Sequence, residues 1–256
     1  MRRIRLIIEY DGTNYVGWQV QPNGVSIQQR LNEALFAVTG ECVSIHGSGR
    51  TDSGVHARAQ VAHFDTAVRM AADKFAIAMN MHLPRDIRVL YAEETDDHFH
   101  ARFSAKEKSY RYTVQLGPHA RVFTRDTALH IHTPLDIDRM NIAAADCIGE
   151  HDFSAFMSVG TAMENTVRTI FVSHWTQEEN YLRYDVTGNG FLYNMVRILV
   201  GTMLEVGVGK CSPGIIARAM TSGNRADSGA TAPPQGLTMM RVRYPDFDTD
   251  EILKLL

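Results

Sequence analysis

The chain has 256 residues, of which 45% are hydrophobic and 21% are charged, an ordinary composition for a globular protein with a sizeable core. Its formal net charge of −3 excludes the strongly basic domains that bind nucleic acid through their overall charge. Any nucleic-acid site must therefore be a local concentration of arginine and lysine. No apolar stretch is long enough to span a bilayer, so we expect no membrane-spanning helix.

The three cysteines, Cys42, Cys147 and Cys211, are far apart and form no paired motif. Such spacing is typical of reduced thiols in a cytosolic protein rather than of a disulfide framework. The first residues are charged and a strand-like run follows them, which does not resemble a secretory signal. We therefore expect a cytoplasmic protein.

Hydrophobic periodicity predicts the elements of the first half of the chain. Residues 4–10 alternate like a strand. Ser26, with Gln29 three residues later, predicts the start of a helix that ends at Gly40. The other predicted elements are strands over residues 41–46, 59–64 and 87–93 and a helix that Asp73 caps and Pro84 stops.

The second half repeats this order of elements. Its predicted members are a strand over 109–116, a helix from Ile137 to Ile148, strands over 169–175 and 181–188, an apolar helix over 191–206 and a closing strand over 237–244. The order strand, helix, strands, helix, strand thus occurs twice. We therefore predict an α+β fold of two similar halves, residues 1–105 and 106–256, each an antiparallel sheet backed by helices.

A loop over residues 47–58, between two predicted strands, is the most distinctive part of the sequence. Three glycines bracket a run of polar side chains in which Asp52 is the only carboxylate, with Arg50 and Arg58 nearby. Nearby guanidinium groups lower the pKa of an aspartate from about 3.9, so Asp52 suits a nucleophile or a base. A structural ion pair between Arg50 and Asp52 is the alternative interpretation.

The stretches 51–54 and 227–231 also resemble two copies of the aspartic-protease signature, which would pair Asp52 with Asp227. Neither copy follows a hydrophobic strand, as the signature requires. An arginine two residues before Asp52 also works against a pair of carboxyls that share one proton. The sequence therefore favours another function for Asp52.

Two further residues stand out from their surroundings. Arg197 lies inside the apolar run 195–200, where a charge is costly unless it faces a cleft or has a partner, although its stem could also extend along the helix to solvent. Tyr110 lies in an alternating strand, where a tyrosine is usually part of the core. His98 and His100 lack an accompanying set of ligand residues, so we predict no metal site there.

Six stretches taken together resemble the TruA family of tRNA pseudouridine synthases, nearly from end to end. They are residues 10–19 (YDGTNYVGWQ), 49–57 (GRTDSGVHA), 101–105 with 110–112 (ARFSA and YRY), 151–156 (HDFSAF), 189–197 (NGFLYNMVR) and 232–237 (APPQGL). Two residues depart from the family's pattern. Ser53 stands where alanine is common, and Asn194 where histidine is often found.

The resemblance implies both a fold and a reaction. The fold is that of pseudouridine synthases, two α+β halves joined around a central catalytic cleft, active as a homodimer. The reaction isomerises uridine to pseudouridine at positions 38–40 of the tRNA anticodon stem-loop. It breaks the N1–C1′ bond and rejoins the base through C5, and it needs no cofactor and no metal.

The resemblance also implies a role for each matching residue. Asp52 corresponds to the nucleophile, which attacks either the ribose or the base. Tyr110 corresponds to the tyrosine that packs on the target base, and Arg197 to the basic residue that pairs with the nucleophile. Arg50 would help to hold the flipped nucleotide, and Leu237 would line the pocket.

The alternative interpretation is a non-catalytic RNA-binding relative of the same fold, which would have no need of Asp52. In either case tRNA is the expected partner, and basic residues are expected to contact its backbone. The residues predicted to do so are Arg2, Arg3, Arg5, Lys106 and Lys108.

Overall fold

The computed structural model describes residues 1–158, 160 and 163–256, and ten strands and six α-helices lie within them. The strands are β1 (Arg2–Tyr10), β2 (His46–Gly47), β3 (His56–Thr66), β4 (Ile87–Thr95), β5 (Glu107–Leu116), β6 (Leu129–Ile131), β7 (Gly149–Asp152), β8 (Val167–Glu178), β9 (Tyr181–Gly188) and β10 (Leu237–Arg243). The helices are α1 (Ile27–Thr39), α2 (Lys74–Asn80), α3 (Ile137–Ala145), α4 (Met195–Gly207), α5 (Ile215–Ser222) and α6 (Thr249–Leu253). None of the described helices has the length and hydropathy needed to cross a bilayer.

The chain divides into two compact units, residues 1–107 with 238–256, and residues 108–237. The predicted division between residues 105 and 106 lies two residues from the first of these boundaries. The predicted second half, however, included the closing strand, which belongs to the first unit. The reason is that β10 pairs in parallel with β3, with Thr238 opposite His56 and Met239 opposite Ala57.

The first unit is built on a sheet with the strand order β4-β1-β3-β10, and the short β2 pairs with β3. The central strand β1 is antiparallel to both of its neighbours. Ile7 is as fully buried as Leu6 and Ile8, so both faces of β1 are covered. Helix α2 packs on β4 and on α1.

Helix α1 begins and ends at the predicted residues. The Ser26 side chain accepts a hydrogen bond from the backbone N–H of Gln29 (3.2 Å), which satisfies one of the donors that a helix start leaves unpaired. The Gln29 side chain donates to Glu33. At the other end Gly40 adopts φ 70°, and its N–H donates to the Phe36 carbonyl (2.8 Å).

The predicted strand over residues 41–46 is wrong, since only His46 and Gly47 pair with β3. Side chains satisfy the backbone of this segment instead of a neighbouring strand. The N–H of Ile45 donates to Asn32 Oδ1 (3.0 Å). The Glu41 carboxylate accepts from the Thr66 hydroxyl and from the N–H of Ala67. The segment therefore runs as a tethered loop from α1 to β2.

The second unit contains a sheet with the strand order β5-β9-β8-β7, antiparallel throughout, and β6 pairs with β5 in parallel. In β5 the residues Tyr110, Tyr112 and Val114 are buried, as the alternation predicts. The hairpin between β8 and β9 turns over two residues, Glu179 and Asn180, because β8 continues to Glu178, three residues beyond its predicted end. Glu179 adopts φ 52° there.

Two helices of the second unit differ in detail from the prediction. Helix α3 starts at the predicted residue, where the Asp136 side chain accepts from the N–H of Arg139 (3.0 Å), but it ends at Ala145, three residues before the predicted end at Ile148. Helix α4 begins at Met195, four residues later than predicted, because Asn194 adopts the left-handed conformation (φ 61°). Helix α3 packs against α4 and β8. The sequence analysis missed the short elements β6, β7, α5 and α6.

Candidate active site

The segment that contains Asp52 connects β2 to β3, and its first part is anchored to β3. Ser48 is buried, and its N–H donates to the Val61 carbonyl (2.7 Å). The Ser48 hydroxyl donates to Gln60 Oε1 (2.6 Å), and Gln60 Nε2 donates to the Gly49 carbonyl (2.9 Å). One fully buried glutamine therefore fixes two consecutive residues of the segment.

The segment is also held from the side of residues 10–18. The N–H of Trp18 donates to the Thr51 carbonyl (3.1 Å), and the hydroxyls of Tyr10 and Thr51 share a hydrogen bond of 2.7 Å. Gly17 has φ 108°, and a Cβ there would lie 2.5 Å from the Thr51 carbonyl oxygen. Only glycine can therefore bring the two backbones this close. Burial raises the pKa of Tyr10 to about 12, which keeps its hydroxyl neutral.

Asp52 lies directly after these contacts, at the start of a tight turn. Its carbonyl accepts from the N–H of Val55 (3.1 Å), and Gly54 takes the left-handed conformation that the turn needs (φ 77°). The hydroxyl of Ser53 donates to the Tyr15 carbonyl (3.1 Å). Asp52 itself is half-buried. Its backbone is therefore held on both sides, which is what a reactive side chain requires.

The turn at residues 11–13 lies against the start of β3. The N–H of Gly12 donates to His56 Nδ1 (3.1 Å), so this nitrogen is an acceptor. The Asp11 carboxylate is 3.1 Å from the same atom. Burial tends to raise the pKa of Asp11, but hydrogen bonds from the hydroxyl and N–H of Thr13, together with the nearby His56, outweigh it and lower that pKa. Asp11 is thus an ionised carboxylate of the turn.

Arg50 and Arg58, on either side of Asp52, are both exposed. Neither forms an ion pair with any residue in the described part of the chain. Their guanidinium groups are therefore available to an anionic ligand such as a phosphate. The alternative interpretation of Arg50 as a structural ion-pair residue lacks support.

In the second unit, Tyr110 lies on β5 and is 8% exposed. Its ring contacts Phe191 edge to face, with the centroids 5.1 Å apart and the planes at 85°. Two residues further on, the Tyr112 hydroxyl donates to the Pro233 carbonyl (2.8 Å), and burial raises the pKa of Tyr112. Strand β5 thus presents two tyrosines on one face, each held by a neighbouring segment.

Arg197 is half-buried in α4, and hydrogen bonds fix its guanidinium group. Its Nε donates to the Ala232 carbonyl (2.8 Å), and its Nη1 donates to Asn194 Oδ1 (2.9 Å). The Asn194 amide nitrogen donates in turn to Ser158 Oγ (2.7 Å). The head group is therefore bound inside the protein, which contradicts the interpretation of a side chain that extends along the helix to solvent.

Residues 232–237 connect Arg197 with Tyr112 of β5. Ala232 binds Arg197 and Pro233 binds Tyr112, as described above. A Cβ on Gly236 would lie 2.6 Å from the Tyr112 ring, so the segment packs closely on that ring. Leu237, at its end, is buried. The structure thus joins Tyr112, Arg197 and Leu237 through one segment of the second unit, whereas Tyr110 contacts Phe191, and Asp52 and Arg50 belong to the first unit.

Several basic residues have structural partners. Arg5 is 5% exposed, donates twice to Glu93 and lies over the Phe247 ring, with its Cζ 3.7 Å from the centroid. The prediction that Arg5 contacts RNA is therefore wrong. Arg3 forms a bidentate ion pair with Asp65 (2.7 and 2.8 Å), and Arg2 forms an ion pair with Glu94. Lys106 is exposed and Lys108 is half-buried.

Within the described ranges, the acidic residues outside the Asp52 segment do not form a buried carboxylate site. Asp227 is exposed, so it lacks the buried environment in which two carboxyls share a proton, and the aspartic-protease interpretation fails. Asp96, Asp97 and His98 have potential ligand atoms within 4.8 Å of one another, a cluster that the sequence analysis missed. All three are exposed, and the Asp96 carboxylate accepts from the N–H of His98 (2.7 Å).

The sequence analysis also missed the residues that hold the predicted ones in place. Ser48 and Gln60 fix the segment before Asp52, and Asn194 and Ser158 orient Arg197. In the sequence, Asn194 is distinguished only as a departure from the family's pattern. The signals for Ser48 and Gln60 were weak, since Ser48 is a polar residue of the loop and Gln60 a polar residue inside the predicted strand 59–64. Both turn out to be fully buried.

Comparison with known families assigns the class of protein that this fold and site define. The sequence model of the tRNA pseudouridine synthase family matches residues 6–104 and 143–245, well over half of the chain. The chain belongs to the tRNA pseudouridine synthase family, whose members are isomerases. The predicted family, the α+β pseudouridine synthase fold and the isomerase class are thereby confirmed.

Individual relatives within this family share one name, tRNA pseudouridine synthase A. The tRNA pseudouridine synthase A of Brevibacillus brevis is 46% identical over 244 residues, which cover 95% of this chain and 100% of the relative. The protein of the same name from a Geobacter species is 49% identical over 247 residues, 96% of this chain and 100% of the relative. The one from Ruminiclostridium cellulolyticum is 46% identical over 249 residues, with 95% and 100% coverage.

Proposed function

We propose that this protein isomerises uridine to pseudouridine at positions 38–40 of the tRNA anticodon stem-loop, with Asp52 as the nucleophile. The observation that carries the proposal is the double anchoring of the Asp52 segment, to Gln60 of β3 and to Trp18. The full-length similarity to proteins named tRNA pseudouridine synthase A supports the choice of substrate.

The target uridine must first leave its stack, at a cost of a few kcal/mol. Stacking on an aromatic ring returns about 1–3 kcal/mol, which we assign to Tyr110. The edge-to-face contact with Phe191 fixes the plane of the Tyr110 ring. A ring that is already ordered loses little entropy when a base stacks on it, and this supports the assignment.

Asp52 then attacks the nucleotide at its ribose or at its base. The N1–C1′ bond breaks, the base turns, and a C5–C1′ bond forms. The hydrogen on C5 leaves to solvent as a proton, and N1 gains a proton, so the product is an isomer of the substrate. A carboxylate is a competent nucleophile for this step if it is ionised and held rigidly.

Arg197 is proposed to pair with the Asp52 carboxylate and so to keep it ionised. The bonds of Arg197 to Ala232 and Asn194 fix the plane of its guanidinium group, which would give such a pair one geometry. Arg50, which is exposed, is proposed to bind a phosphate of the flipped nucleotide. Leu237 is proposed to line the pocket.

We further propose that the enzyme works in the cytoplasm, as a homodimer that binds tRNA, as the TruA resemblance implies. The mass in solution, measured by sedimentation equilibrium with and without tRNA, tests the dimer directly. Twice the chain mass is the expected result. A single chain mass at concentrations where the enzyme is active would contradict it.

The experiment that tests the function uses tRNA with tritium at C5 of its uridines. Because C5 loses its hydrogen when it joins the sugar, the wild-type protein should release tritium to water. Asp52→Asn should release none while it binds tRNA with the wild-type affinity. Asp227→Ala, which removes an exposed carboxylate in the similar Asp-Ser-Gly stretch, is the matched control and should be fully active.

Two other outcomes contradict the proposal in different ways. If the wild-type protein binds tRNA but releases no tritium, the chain is a non-catalytic RNA-binding relative. If Asp52→Asn still releases tritium, the reaction does not use Asp52. Sequencing of pseudouridine in the product tRNA then tests the positions, and modification outside 38–40 would contradict the proposed site.

A further inference from the structure

Phe103 is an aromatic side chain that the proposed mechanism does not use. It is 76% exposed, in a turn over residues 100–104 between β4 and β5. Phe36, on α1 of the same unit, is also exposed (52%). What distinguishes Phe103 is the structure that holds it and the charge beside it.

The turn that carries Phe103 is fixed by its own hydrogen bonds. The N–H of Ser104 donates to the His100 carbonyl (2.9 Å), and the N–H of His100 donates to Ser104 Oγ (3.0 Å). His100 Nδ1 accepts from the N–H groups of Arg102 (3.1 Å) and Phe103 (3.3 Å). Burial, together with the nearby His46, Arg3 and Arg102, lowers the pKa of His100, so the ring stays neutral and keeps these bonds.

The turn is also tied to the core of the first unit through Ala101. Its N–H donates to Nδ1 of the buried His63 (3.2 Å), and its carbonyl accepts from the Tyr244 hydroxyl (2.7 Å). The His100 ring lies 4.7 Å from His63 and 6.1 Å from His46, centroid to centroid. His46 is in β2, six residues before Asp52, so the turn packs against the strand from which the Asp52 segment emerges.

The surroundings of the Phe103 ring are cationic and aromatic. The His100 ring lies against it, with the centroids 4.4 Å apart and the planes at 35°. The Arg102 guanidinium carbon lies over the ring at 5.6 Å from its centroid. Arg102 and Lys106 are exposed, and neither is in an ion pair with a residue that the structure describes.

We propose that Phe103 is a stacking surface for an unpaired nucleobase of the bound tRNA, and that Arg102 binds a phosphate beside that base. This inference rests on the proposed function, since it takes the substrate to be tRNA. An exposed aromatic ring with unpaired cations beside it is the combination that binds single-stranded nucleic acid. Because the turn is already ordered, little conformational entropy is lost on stacking.

The first test measures the binding of an unmodified tRNA transcript at several salt concentrations. Phe103→Ala should weaken binding about five- to 100-fold, the loss of one base stack. Phe103→Tyr should restore it, and Phe36→Ala, the matched control, should bind as the wild type does. Phe103→Ala should leave the slope of log Kd against log salt unchanged, whereas Arg102→Ala should reduce that slope by about one phosphate contact.

The second test looks for the stack itself. Both native tryptophans, Trp18 and Trp175, are buried, so Phe103→Trp adds an exposed fluorophore. Stacking on a base should quench its emission in a saturable manner as the tRNA transcript is added, and should protect it from iodide. If the emission does not change while the tRNA binds, no base stacks at this position and the proposal is wrong.

The remaining outcomes separate this proposal from others. If Phe103→Ala weakens binding no more than Phe36→Ala does, the stacking surface is absent. If Phe103→Ala changes the sedimentation mass without tRNA, the ring contacts a second copy of the chain instead, which also overturns the proposal. Failure of the wild-type protein to release tritium would contradict the proposed function alone, because the binding and fluorescence tests do not require the reaction.

Discussion

Asn194 and Arg197 lie three residues apart at the start of α4, and Asn194 Oδ1 accepts a hydrogen bond of 2.9 Å from Arg197 Nη1. Asn194 is left-handed (φ 61°), a conformation that asparagine tolerates better than most residues. Ser158 Oγ accepts from the other end of its amide group and so fixes which way the amide faces. Asn194 is therefore a positioning residue for Arg197.

Asn194→Gly should lower kcat about 10- to 100-fold, the range for one charge-assisted hydrogen bond, with little change in the Kd for tRNA. Glycine adopts the left-handed conformation without strain, so this variant removes the amide and spares the backbone. Asn194→Asp, which keeps an acceptor for Arg197, should retain more activity than Asn194→Gly. An unchanged kcat in Asn194→Gly, measured by tritium release, would contradict the role.

Gly17 allows residues 10–18 to approach the Asp52 segment, and we expect Gly17→Ala to disturb the site as well as the fold. The new Cβ would lie 2.5 Å from the Thr51 carbonyl oxygen, one residue from Asp52, and the backbone at φ 108° is strained for alanine. The free energy of unfolding, from urea denaturation, and kcat should both fall.

Gly40→Ala is the matched control for Gly17→Ala. Gly40 is also left-handed (φ 70°), but nothing lies within 4 Å of its added Cβ. The Gly40→Ala variant should lose about 1–2 kcal/mol of stability from the backbone conformation alone, and its kcat should stay as in the wild type. Equal losses of stability and activity in the two variants would show that the contact with Thr51 has no effect.

Much of the fold could be predicted because its signals are local. Ser26 and Gly40 set the bounds of α1 through interactions within a few residues, and the alternation of β5 follows from one buried face. The segment 41–46 has the alternation of a strand, but its hydrogen-bond partners are side chains of Asn32 and Thr66. Local pattern cannot reveal such partners, because the pairing is decided by tertiary structure.

In the candidate site, too, the features that are local in sequence could be predicted and the distant contacts could not. Asp52 was found because its motif is continuous in sequence, and Arg197 because a charge interrupts an apolar run. The contacts of Ser158 with Asn194 and of Ser48 with Gln60 could not be read from local pattern, because their partners are 36 and 12 residues apart. Asn194 is only three residues from Arg197, but one polar residue at that spacing gives no distinctive pattern. Arg5 was misinterpreted for the same reason, since its partner Glu93 is 88 residues away in sequence.

Arg5 should contribute to stability rather than to RNA binding. Its guanidinium group is buried against the Phe247 ring and paired with Glu93, so Arg5→Ala should lower the free energy of unfolding by about 2–4 kcal/mol. The slope of log Kd for tRNA against log salt should stay as in the wild type, because no phosphate contact is lost. A flatter slope in Arg5→Ala would indicate an RNA contact and contradict this assignment.

His63 should make the stability of the protein depend on pH. It is buried in β3, and burial, aided by the nearby His100, Arg3 and His46 and opposed by Asp65, lowers its pKa to about 4 from an ordinary value near 6.5. Between these two values the unfolded chain binds a proton at His63 and the folded protein does not. The free energy of unfolding should therefore be fully retained above about pH 6.5 and should fall as the pH is lowered towards 4, by at most about 1.4 kcal/mol per pH unit from this group.

His63→Asn isolates this contribution, because its Oδ1 can replace Nδ1 as the acceptor for the N–H of Ala101 and cannot titrate. The smaller side chain lowers stability at every pH, so the quantity to compare is the slope and not the absolute value. Urea unfolding between pH 4 and 8 should give a flatter profile for the variant than for the wild type. Parallel profiles would mean that His63 takes up its proton equally in both states, since a group with the same pKa folded and unfolded adds nothing to the slope.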